Sequence, residues 1–514
     1  MSDAGHDPPA PPHRVTLVGL AARVPEDRIS RNAGFAFLTK LISAALTAGL
    51  TIFLARALTP KGYGDFAFAL SVVTLCTLFA DLGIAASASR FLAEHRGDHR
   101  AVAGVFRSAL GLKVAIGLVA SAALFVLAGP ICSLFGVPSA GWPVRGMSIS
   151  LFGESMLLLL IGSFSALGRQ RFNLIITASE SFVEVTASVA LVLVGTGAAG
   201  AAFGRATGYA VGFAVGLVVA ARAIGPLPAR PQRVARVTRG IIRYAGSLVL
   251  IDAAFRAFAS IDVLLVTAIL GGGAHVGAFQ LPMRLATLLE YPVAAVATAV
   301  APRLARREGG GPDIATFSSA LRYLTLLQVL LVAPLLVWPE AIIHLLFGND
   351  YPEAPAVLRA LAPYVYLAGV AQLATLGVNY LGEASRRIPI TLAMLAVNAL
   401  VDLLLLPRVG VVGAGIGTSA AFCIWVPAHL WILNRRAGVS LRPFLVTSAR
   451  AMAAGLAVCG VLLLLGTGEL GVGVMLAGAV LGSATYVAVL IGLGEVNRDD
   501  LAMLRRLLAR GAPA

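Results

Sequence analysis

The feature that most constrains this chain is a series of long apolar segments that recurs from Arg31 almost to the C-terminus. A helix needs about 20 mainly apolar residues to cross roughly 30 Å of hydrocarbon, and fourteen segments meet that requirement. They lie near 32–55, 64–88, 108–130, 147–167, 172–194, 200–221, 244–270, 276–301, 319–338, 357–380, 388–406, 412–433, 444–466 and 472–493. The sequence therefore predicts an all-α polytopic membrane protein with about fourteen transmembrane helices.

The charges of the chain follow the topology that these segments predict. Only 13% of the 514 residues are charged, about half the fraction of a soluble protein. With the N-terminus inside, 31 of the 40 Lys and Arg fall in cytoplasmic segments or near the cytoplasmic ends of spans, five in outside loops or at the outer ends of spans, and four deeper within spans. Because cytoplasmic loops carry the excess of Lys and Arg, both termini are predicted to be cytoplasmic. The net charge of +15 is then an orientation signal, and it gives no reason to expect a nucleic-acid partner.

The two halves of the chain resemble each other at a nearly constant offset. Tyr63-Gly64-Asp65-Phe66 matches Val276-Gly277-Ala278-Phe279 at an offset of 213 residues, and Leu134-Phe135-Gly136 matches Leu346-Phe347-Gly348 at 212. The offset continues through six spans, an even number, so both copies enter the membrane in the same orientation. The sequence thus predicts two parallel six-helix repeats around a central cavity.

The repeat sets the predicted domain organisation. Two helices follow the second repeat, and the amphipathic C-terminal segment is expected to lie at the membrane surface. The predicted units are a disordered cytoplasmic tail (1–31), an N-terminal bundle (32–221), a basic cytoplasmic linker (222–243), a C-terminal bundle (244–434), two additional transmembrane helices (444–493) and an amphipathic cytoplasmic tail (497–514).

Several motifs resemble those of bacterial polysaccharide flippases of the Wzx type, in the multidrug/oligosaccharidyl-lipid/polysaccharide exporter superfamily. The family's opening turn is matched by ARALTPKGYG at residues 55–64, and its Asp-Leu-Gly and following Arg by Asp81-Leu82-Gly83 and Arg90. Thr59 departs from the usual Gly before the proline. LLFGNDYPEA and VGVVGAGIGTSAA in the second half are also similar to the family.

The resemblance implies a fold and a function. The fold is two pseudo-symmetric bundles with a V-shaped central cavity. The function is to move a polyprenyl-diphosphate-linked oligosaccharide from the cytoplasmic to the outer leaflet of the bacterial inner membrane, for cell-surface polysaccharide such as lipopolysaccharide or exopolysaccharide. The implied partners are that lipid-linked glycan and membrane lipids, with a polysaccharide polymerase as a further candidate. No enzymatic activity or cofactor is implied.

Charged residues within the spans are the candidate functional residues, because an ionisable group inside the bilayer costs from about 2.5 kcal/mol upward and normally faces a partner or a water-filled cavity. The sequence places four cations and eight acids there. They are Lys40, Asp81, Glu154, Glu180, Glu184, Arg205, Asp252, Arg256, Asp262, Arg284, Glu290 and Asp402.

The four cations are the candidate substrate-binding residues. Arg256 lies near mid-membrane and Lys40 about nine residues into the first span, while snorkelling to the outer surface is an alternative for Arg205 and Arg284. For Arg256 the alternative is a local ion pair with Asp252, its i,i+4 neighbour.

Five acids are candidates for ion coupling: Glu180, Glu184, Asp252, Asp262 and Glu290. Glu180 and Glu184 are i,i+4 neighbours, so their carboxylates repel on one helix face, and binding of a proton or Na⁺ would relieve the repulsion. The alternative is that both pair with cations such as Lys40.

Three further residues are assigned structural or gating roles. Asp81 is expected to pair with Arg90 at the end of its span or with polar backbone, and Arg303 matches Arg90 in the second repeat. The seven His lack metal-ligand spacing, and no nucleophile–base arrangement predicts a catalytic site.

Two other functions are compatible with the sequence. A cation-coupled exporter of small drugs belongs to the same superfamily. Twelve spans and a mainly acidic cavity would favour that function, whereas the fourteen predicted spans and the cations within them count against it. A polytopic glycosyltransferase or ligase needs acids at the membrane surface and a sizeable outer loop, whereas the longest predicted outside loops are short, near 131–146 and 339–356.

Overall fold

The computed structural model describes residues 26–224, 234–300, 304, 312–468 and 470–496, and every regular element in these ranges is helical. The predicted all-α class is confirmed. In chain order the α-helices are α1 Glu26–Ala57, α2 Pro60–Asp81, α3 Ile84–Glu94, α4 His99–Leu134, α5 Gly141–Ala166, α6 Gln170–Leu191, α7 Gly197–Ile224, α8 Val234–Leu270, α9 Ala274–Leu288, α10 Tyr291–Val300, α11 Ile314–Val337, α12 Pro339–Phe347, α13 Ala354–Ala360, α14 Ala362–Tyr380, α15 Arg387–Val409, α16 Val412–Ala437, α17 Leu441–Leu464 and α18 Val472–Gly492.

The described residues contain 11 helices long and apolar enough to cross a membrane, or 12 if the bent pair α13 and α14 forms one span. Two segments explain the difference from fourteen. The 55-residue segment 170–224 counts once, although its helices α6 and α7 pack side by side after a turn at Gly195, where φ is 88°. The predicted span 276–301 is divided between α9 and α10, which are each too short to count alone. The count of fourteen stays a prediction.

Helix ends differ from the predicted domain boundaries. α1 begins at Glu26 and α8 at Val234, so part of the predicted tail 1–31 and part of the predicted linker 222–243 are helical. A helix satisfies its own backbone hydrogen bonds and can continue beyond the apolar stretch that marks the span. The remaining tail (1–25), the centre of the linker (225–233) and the predicted amphipathic segment 497–514 lie outside the described residues.

Helices pack in a corresponding order in the two halves. We call α1–α7 the N-bundle and α8–α16 the C-bundle. In the N-bundle α1 packs on α6, α6 on α7, and α5 on α7; in the C-bundle α8 packs on α15, α15 on α16, and α14 on α16. This correspondence is what a repeat would produce, and the repeat itself stays a prediction.

The additional helices α17 and α18 are attached to the C-bundle through α11. α17 packs along α11 and α18 along α17. Beyond the end of α18, the buried Glu495 carboxylate accepts hydrogen bonds from Arg322 Nε on α11 (2.7 Å) and from Thr447 Oγ1 and Arg450 Nη1 on α17 (2.8 and 2.9 Å). One carboxylate therefore fastens the ends of three helices together.

The two bundles meet closely at the end of the molecule that the charge distribution assigns to the outside, which we call the outer end; the opposite end is the inner end. A Cβ atom added to Gly64 would lie 1.8 Å from the Gly273 carbonyl oxygen. Tyr351 Oη donates a 3.0 Å hydrogen bond to the Ala55 carbonyl, and Arg56 Nε donates to the Leu346 carbonyl at 3.0 Å. Motifs on which the family resemblance rests thus form the contact that closes the outer end.

Gly64 provides a direct test of this closure. We expect Gly64→Ala to separate the bundles at the outer end, because the added methyl group has no space against a backbone carbonyl. Distances between spin labels on cysteines at Ser139 and Leu345, two exposed outer-end positions, should become longer and more broadly distributed. Gly49→Ala is the control, since a Cβ there meets nothing within 4 Å; unchanged distances in Gly64→Ala would contradict the account.

Candidate functional site

A narrow cavity lies between the N-bundle and α9 of the C-bundle. Its volume of about 60 Å³ leaves room for only a few water molecules. One wall is apolar and comes from α1 and α2, and the opposite wall carries the side chains of Glu184, Arg205 and Arg284. We call this the interbundle cavity. It is lined by Leu46, Thr47, Leu50, Thr51, Leu54, Tyr63, Phe66, Leu70, Ser181, Glu184, Val185, Arg205 and Arg284.

Arg205 is held in this cavity by acids from two neighbouring helices. Its Nη1 lies 2.9 Å from Glu184 Oε1 and its Nη2 lies 3.5 Å from Glu154 Oε2. Nη2 also lies 3.0 Å from Tyr209 Oη, and the guanidinium carbon lies 4.7 Å from the Tyr209 ring. Arg205 Nε is buried and has no hydrogen-bond partner in the part of the chain that the structure describes. Arg205 thus faces the cavity and does not snorkel to the outer surface.

Arg284 also lines the cavity, but it differs from Arg205 in having no acid beside it. Among the described residues, no hydrogen bond or ion pair involves its guanidinium group. The groups that influence it electrostatically include Tyr63, Arg205 and Glu184. An unpaired cation next to a neutralised one gives the cavity capacity for an anion.

Glu180 lies one helical turn from Glu184 on α6, and of these two carboxylates only Glu184 has a cation partner among the described residues. Glu180 is 6% exposed and accepts a 2.8 Å hydrogen bond from Ser181 Oγ. Glu184 pairs with Arg205 rather than with Lys40, the partner that the alternative interpretation suggested. The Lys40 side chain is exposed and does not line the interbundle cavity, so the structure does not bring Lys40 to the other candidate residues.

A second polar cluster lies inside the C-bundle, where α8, α15 and α16 meet. Asp262 accepts hydrogen bonds from Asn398 Nδ2 (2.8 Å) and Thr418 Oγ1 (2.7 Å). Asp402 lies against Asp262 and is fully buried. Among the described residues, neither carboxylate oxygen of Asp402 nor Oδ1 of Asn398 has a hydrogen-bond partner. We call these four residues the oxygen cluster.

The oxygen cluster has the chemistry of a site for a proton or a small monovalent cation. Two buried carboxylates in contact repel each other, and a shared proton or a cation between them removes the repulsion. The other donors are an amide oxygen and a hydroxyl group, which are hard ligands. No group of three or more His, Cys, Asp or Glu that could hold a metal ion occurs among the described residues.

Sequence reasoning found only part of the oxygen cluster. Asp262 was a candidate and Asp402 was counted among the intramembrane acids, but Asn398 and Thr418 were missed. The available signals were the i,i+4 spacing of Asn398 and Asp402 and the position of Thr418 directly after Gly417. A Cβ on Gly417 would lie 2.0 Å from Asp402 Oδ1, so glycine is required for α16 to approach α15 there.

Other candidates lie apart from these two sites. Asp252 Oδ2 accepts a 2.7 Å hydrogen bond from Arg256 Nε, which is the predicted i,i+4 ion pair. Glu290 lies at the break between α9 and α10 and accepts a hydrogen bond from Tyr364 Oη, so it points away from Arg284, as expected from their spacing. Arg303 lies outside the described residues.

The predicted pairing of Asp81 with Arg90 is wrong, but its alternative, a contact with polar backbone, is present, because Asp81 Oδ1 accepts a 3.4 Å hydrogen bond from the Ala85 amide. Asp81 forms a buried ion pair with Lys113 of α4, and Arg90 pairs instead with Glu94 at 2.8 Å. Lys113 is fully buried, although its position near the start of a span led to its being counted with the cytoplasmic charges. The break in the helix at Leu82 and Gly83 (φ 47° and 69°) separates Asp81 from Arg90.

The buried Lys113–Asp81 pair predicts a large loss of stability when one partner is removed. Breaking such a pair leaves an uncompensated charge and costs about 3–5 kcal/mol. We expect Lys113→Met to lower the thermal unfolding temperature of the detergent-solubilised protein, and Asp81→Asn combined with Lys113→Met to restore much of it. Lys61→Met, at an exposed position, is the control. Equal unfolding temperatures for Lys113→Met and the wild type would disprove the prediction.

Solved structures with this arrangement of helices are transporters. A structure described as the lipid II flippase MurJ in an inward closed conformation matches with a TM-score of 0.73 at 12% identity, covering 88% of this chain and 97% of that one. The MATE multidrug transporter DinF-BH matches with a TM-score of 0.62 at 18% identity, covering 82% and 97%. At these identities the similarity concerns the fold, and the predicted fold class is confirmed.

The sequence comparisons point to polysaccharide export. The succinoglycan biosynthesis transport protein ExoT of Rhizobium meliloti is 31% identical over 121 residues, and the match spans about a quarter of the length of each protein (24% and 23%). The profile of the family described as "Polysaccharide biosynthesis protein" matches residues 29–308, and that of "Lipid II flippase MurJ" matches residues 169–479. Each profile covers more than half of the chain, and the chain therefore belongs to the polysaccharide biosynthesis protein family, the polysaccharide flippases of the multidrug/oligosaccharidyl-lipid/polysaccharide exporter superfamily.

Proposed function

We propose that the protein is a flippase that moves a polyprenyl-diphosphate-linked oligosaccharide from the cytoplasmic to the outer leaflet. We further propose that it resides in the bacterial inner membrane with both termini in the cytoplasm, as the distribution of Lys and Arg predicts. The family and the fold support a transporter without enzymatic activity. A polysaccharide polymerase would be the consumer of the flipped lipid.

The observation that carries this proposal is the pair of arginines in the interbundle cavity. Arginine binds phosphate oxygens with two parallel hydrogen bonds and stays charged in a low-dielectric site. Arg284 is unpaired, whereas Arg205 is neutralised by Glu154 and Glu184. We infer that a diphosphate is first bound by Arg284 and then competes with the two acids for Arg205.

The shape of the interbundle cavity suits an amphiphilic substrate. Leu46, Leu50 and Leu54 of α1 form an apolar wall opposite the arginines. A lipid diphosphate can place its charged group against the arginines while its hydrocarbon chain stays on the apolar side. The glycan has no room in the state described here, because the cavity is narrow and the outer end is closed. The bundles must therefore separate for transport, as alternating access requires.

The oxygen cluster offers a way to couple this motion to an ion. α8 contributes Asp262 to the cluster and also packs against α2, α3 and α4 of the N-bundle. We propose that binding of a proton or Na⁺ between Asp262 and Asp402 shifts α8 and thereby changes the contact between the bundles. The same helix carries Arg256, close enough to Lys113 of the N-bundle to influence it electrostatically.

Lipid analysis of a deletion strain tests the proposed function. Deletion should cause one lipid-linked oligosaccharide to accumulate on the inner leaflet, and expression of the wild-type gene should remove it. Normal lipid-linked glycans together with a changed drug tolerance would instead select multidrug export, the function of the similar MATE structures. Loss of a glycosyl transfer product without leaflet accumulation would select the glycosyltransferase or ligase alternative.

A further inference from the structure

A second cavity, of about 400 Å³, lies at the inner end of the C-bundle and shares no residue with the interbundle cavity. It is formed by the end of α16 and by the turn before α15. Its lining is rich in arginine and includes one large aromatic residue. We call it the arginine cavity, and its lining residues are Arg386, Trp431, Ile432, Arg435 and Arg436.

The geometry leaves guanidinium groups free to bind an anion. The Glu383 carboxylate forms ion pairs with two of these arginines. Its Oε2 lies 2.6 Å from Arg386 Nε, and its Oε1 lies 3.2 Å from Arg436 Nε. Within the described part of the chain, the Nη groups of these two arginines have no hydrogen-bond partner, and Arg435 has no acid partner. Two guanidinium groups thus share the Glu383 carboxylate and the third, that of Arg435, adds a further charge, so the cavity carries an excess of about two positive charges.

The position of the arginine cavity favours a membrane lipid as the source of the anion. The Trp431 side chain is 53% exposed and lies 5.6 Å from the guanidinium carbon of Arg435. Tryptophan side chains concentrate at the membrane–water interface, at the level of the headgroups. Basic pockets between transmembrane helices at the cytoplasmic side bind phosphate-bearing lipid headgroups.

We propose that the arginine cavity binds the headgroup of an anionic phospholipid of the inner leaflet. The lipid phosphate would accept hydrogen bonds from the free Nη groups of Arg386 and Arg436 and from Arg435, and Trp431 would lie beside the glycerol region. This lipid is a resident ligand of the C-bundle and is distinct from the transported substrate. The site therefore goes beyond the proposed transport activity, and it rests only on the membrane orientation proposed above.

Thermal unfolding of the full-length protein in nanodiscs tests the site. Nanodiscs of phosphatidylcholine that contain about 20% cardiolipin or phosphatidylglycerol have an anionic surface. In these discs the wild type should unfold at a higher temperature than in phosphatidylcholine alone. The increment should be lost in Arg386→Gln combined with Arg435→Gln. Arg408→Gln, at the outer end of α15 where Arg408 Nη1 donates a hydrogen bond to the Leu404 carbonyl, is the matched control and should keep the increment.

Native mass spectrometry of the detergent-solubilised protein supplies a second measurement that does not depend on unfolding. We expect Arg435→Gln to weaken cardiolipin binding about tenfold, the effect of losing one charge-assisted hydrogen bond, and Arg435→Lys to lose less. Equal stabilisation by phosphatidylcholine, or unchanged lipid binding in Arg435→Gln, would overturn the proposal. Equal stabilisation by inorganic phosphate would show that the cavity takes any phosphate and would overturn the assignment to a lipid.

Discussion

Replacement of Arg284 by glutamine is expected to lower the transport rate at least ~30-fold while leaving the amount of protein in the membrane unchanged. Removing one partner of a desolvated charge pair costs about 2–5 kcal/mol, and each 1.4 kcal/mol corresponds to a factor of ten. Arg284 has no acid partner among the described residues, so its loss leaves no buried carboxylate behind and should not destabilise the fold. Complementation of the deletion strain, with the lipid-linked oligosaccharide measured in each leaflet, provides the readout.

Two further variants sharpen the Arg284 prediction. Arg284→Lys keeps the charge but loses the planar, two-pronged hydrogen-bonding geometry, so its transport rate should be intermediate. Arg408→Gln removes an exposed arginine at the outer end of α15 and should transport normally. Full complementation by Arg284→Gln would exclude Arg284 from diphosphate binding and leave the interbundle cavity without its main anion-binding group.

Asp402→Asn is expected to abolish any acceleration of transport by an ion gradient. Asp402 is fully buried, and neither of its carboxylate oxygens accepts a hydrogen bond from any residue that the structure describes, so the amide preserves the shape while it removes the charge that would attract a proton or Na⁺. Asp262→Asn should have the same effect, with an added loss of stability because Asp262 accepts hydrogen bonds from Asn398 and Thr418. Transport in vesicles with a sodium gradient and, separately, a proton gradient measures both effects.

The control for the oxygen cluster is Asp350→Asn, an exposed acid in the loop before α13, which should respond to gradients as the wild type does. If one of the two gradients accelerates transport by the wild type, the ion of that gradient is the coupling ion. If Asp402→Asn kept its response to that gradient, the oxygen cluster could not be the coupling site. Transport by the wild type that is indifferent to both gradients would also remove the coupling proposal.

The class of the fold and one local ion pair could be predicted from the sequence, because they follow from strong local signals. Long apolar segments can only be buried in lipid or against other helices, so they indicate an all-α membrane protein. The motif around Gly64 contributed to the family resemblance, and in the structure it lies where the bundles touch at the outer end. Asp252 and Arg256 were predictable as a pair because helical spacing fixes neighbours on one face.

Pairings between helices that are distant in sequence could not be predicted. Lys113 and Asp81 lie on different helices, and only packing of α4 against α2 brings them together. Lys113 was counted with the cytoplasmic residues because the rule that cytoplasmic loops are rich in Lys and Arg uses only the position of a residue along the chain. It takes no account of whether the side chain is buried. Asn398 and Thr418 were missed because neutral polar residues are ordinary in membrane helices, and only their contact with Asp262 makes them notable.

We infer that the arginines of the interbundle cavity carry the diphosphate of a lipid-linked oligosaccharide across the membrane. Purified protein in liposomes that contain a fluorescent polyprenyl-diphosphate oligosaccharide tests this inference, with flipping followed by the fraction of label that a membrane-impermeant reductant quenches. We expect rapid flipping by the wild type and, for Arg284→Gln, a rate close to that of protein-free liposomes. Equal rates for the wild type and Arg284→Gln, or no flipping by the wild type, would contradict it.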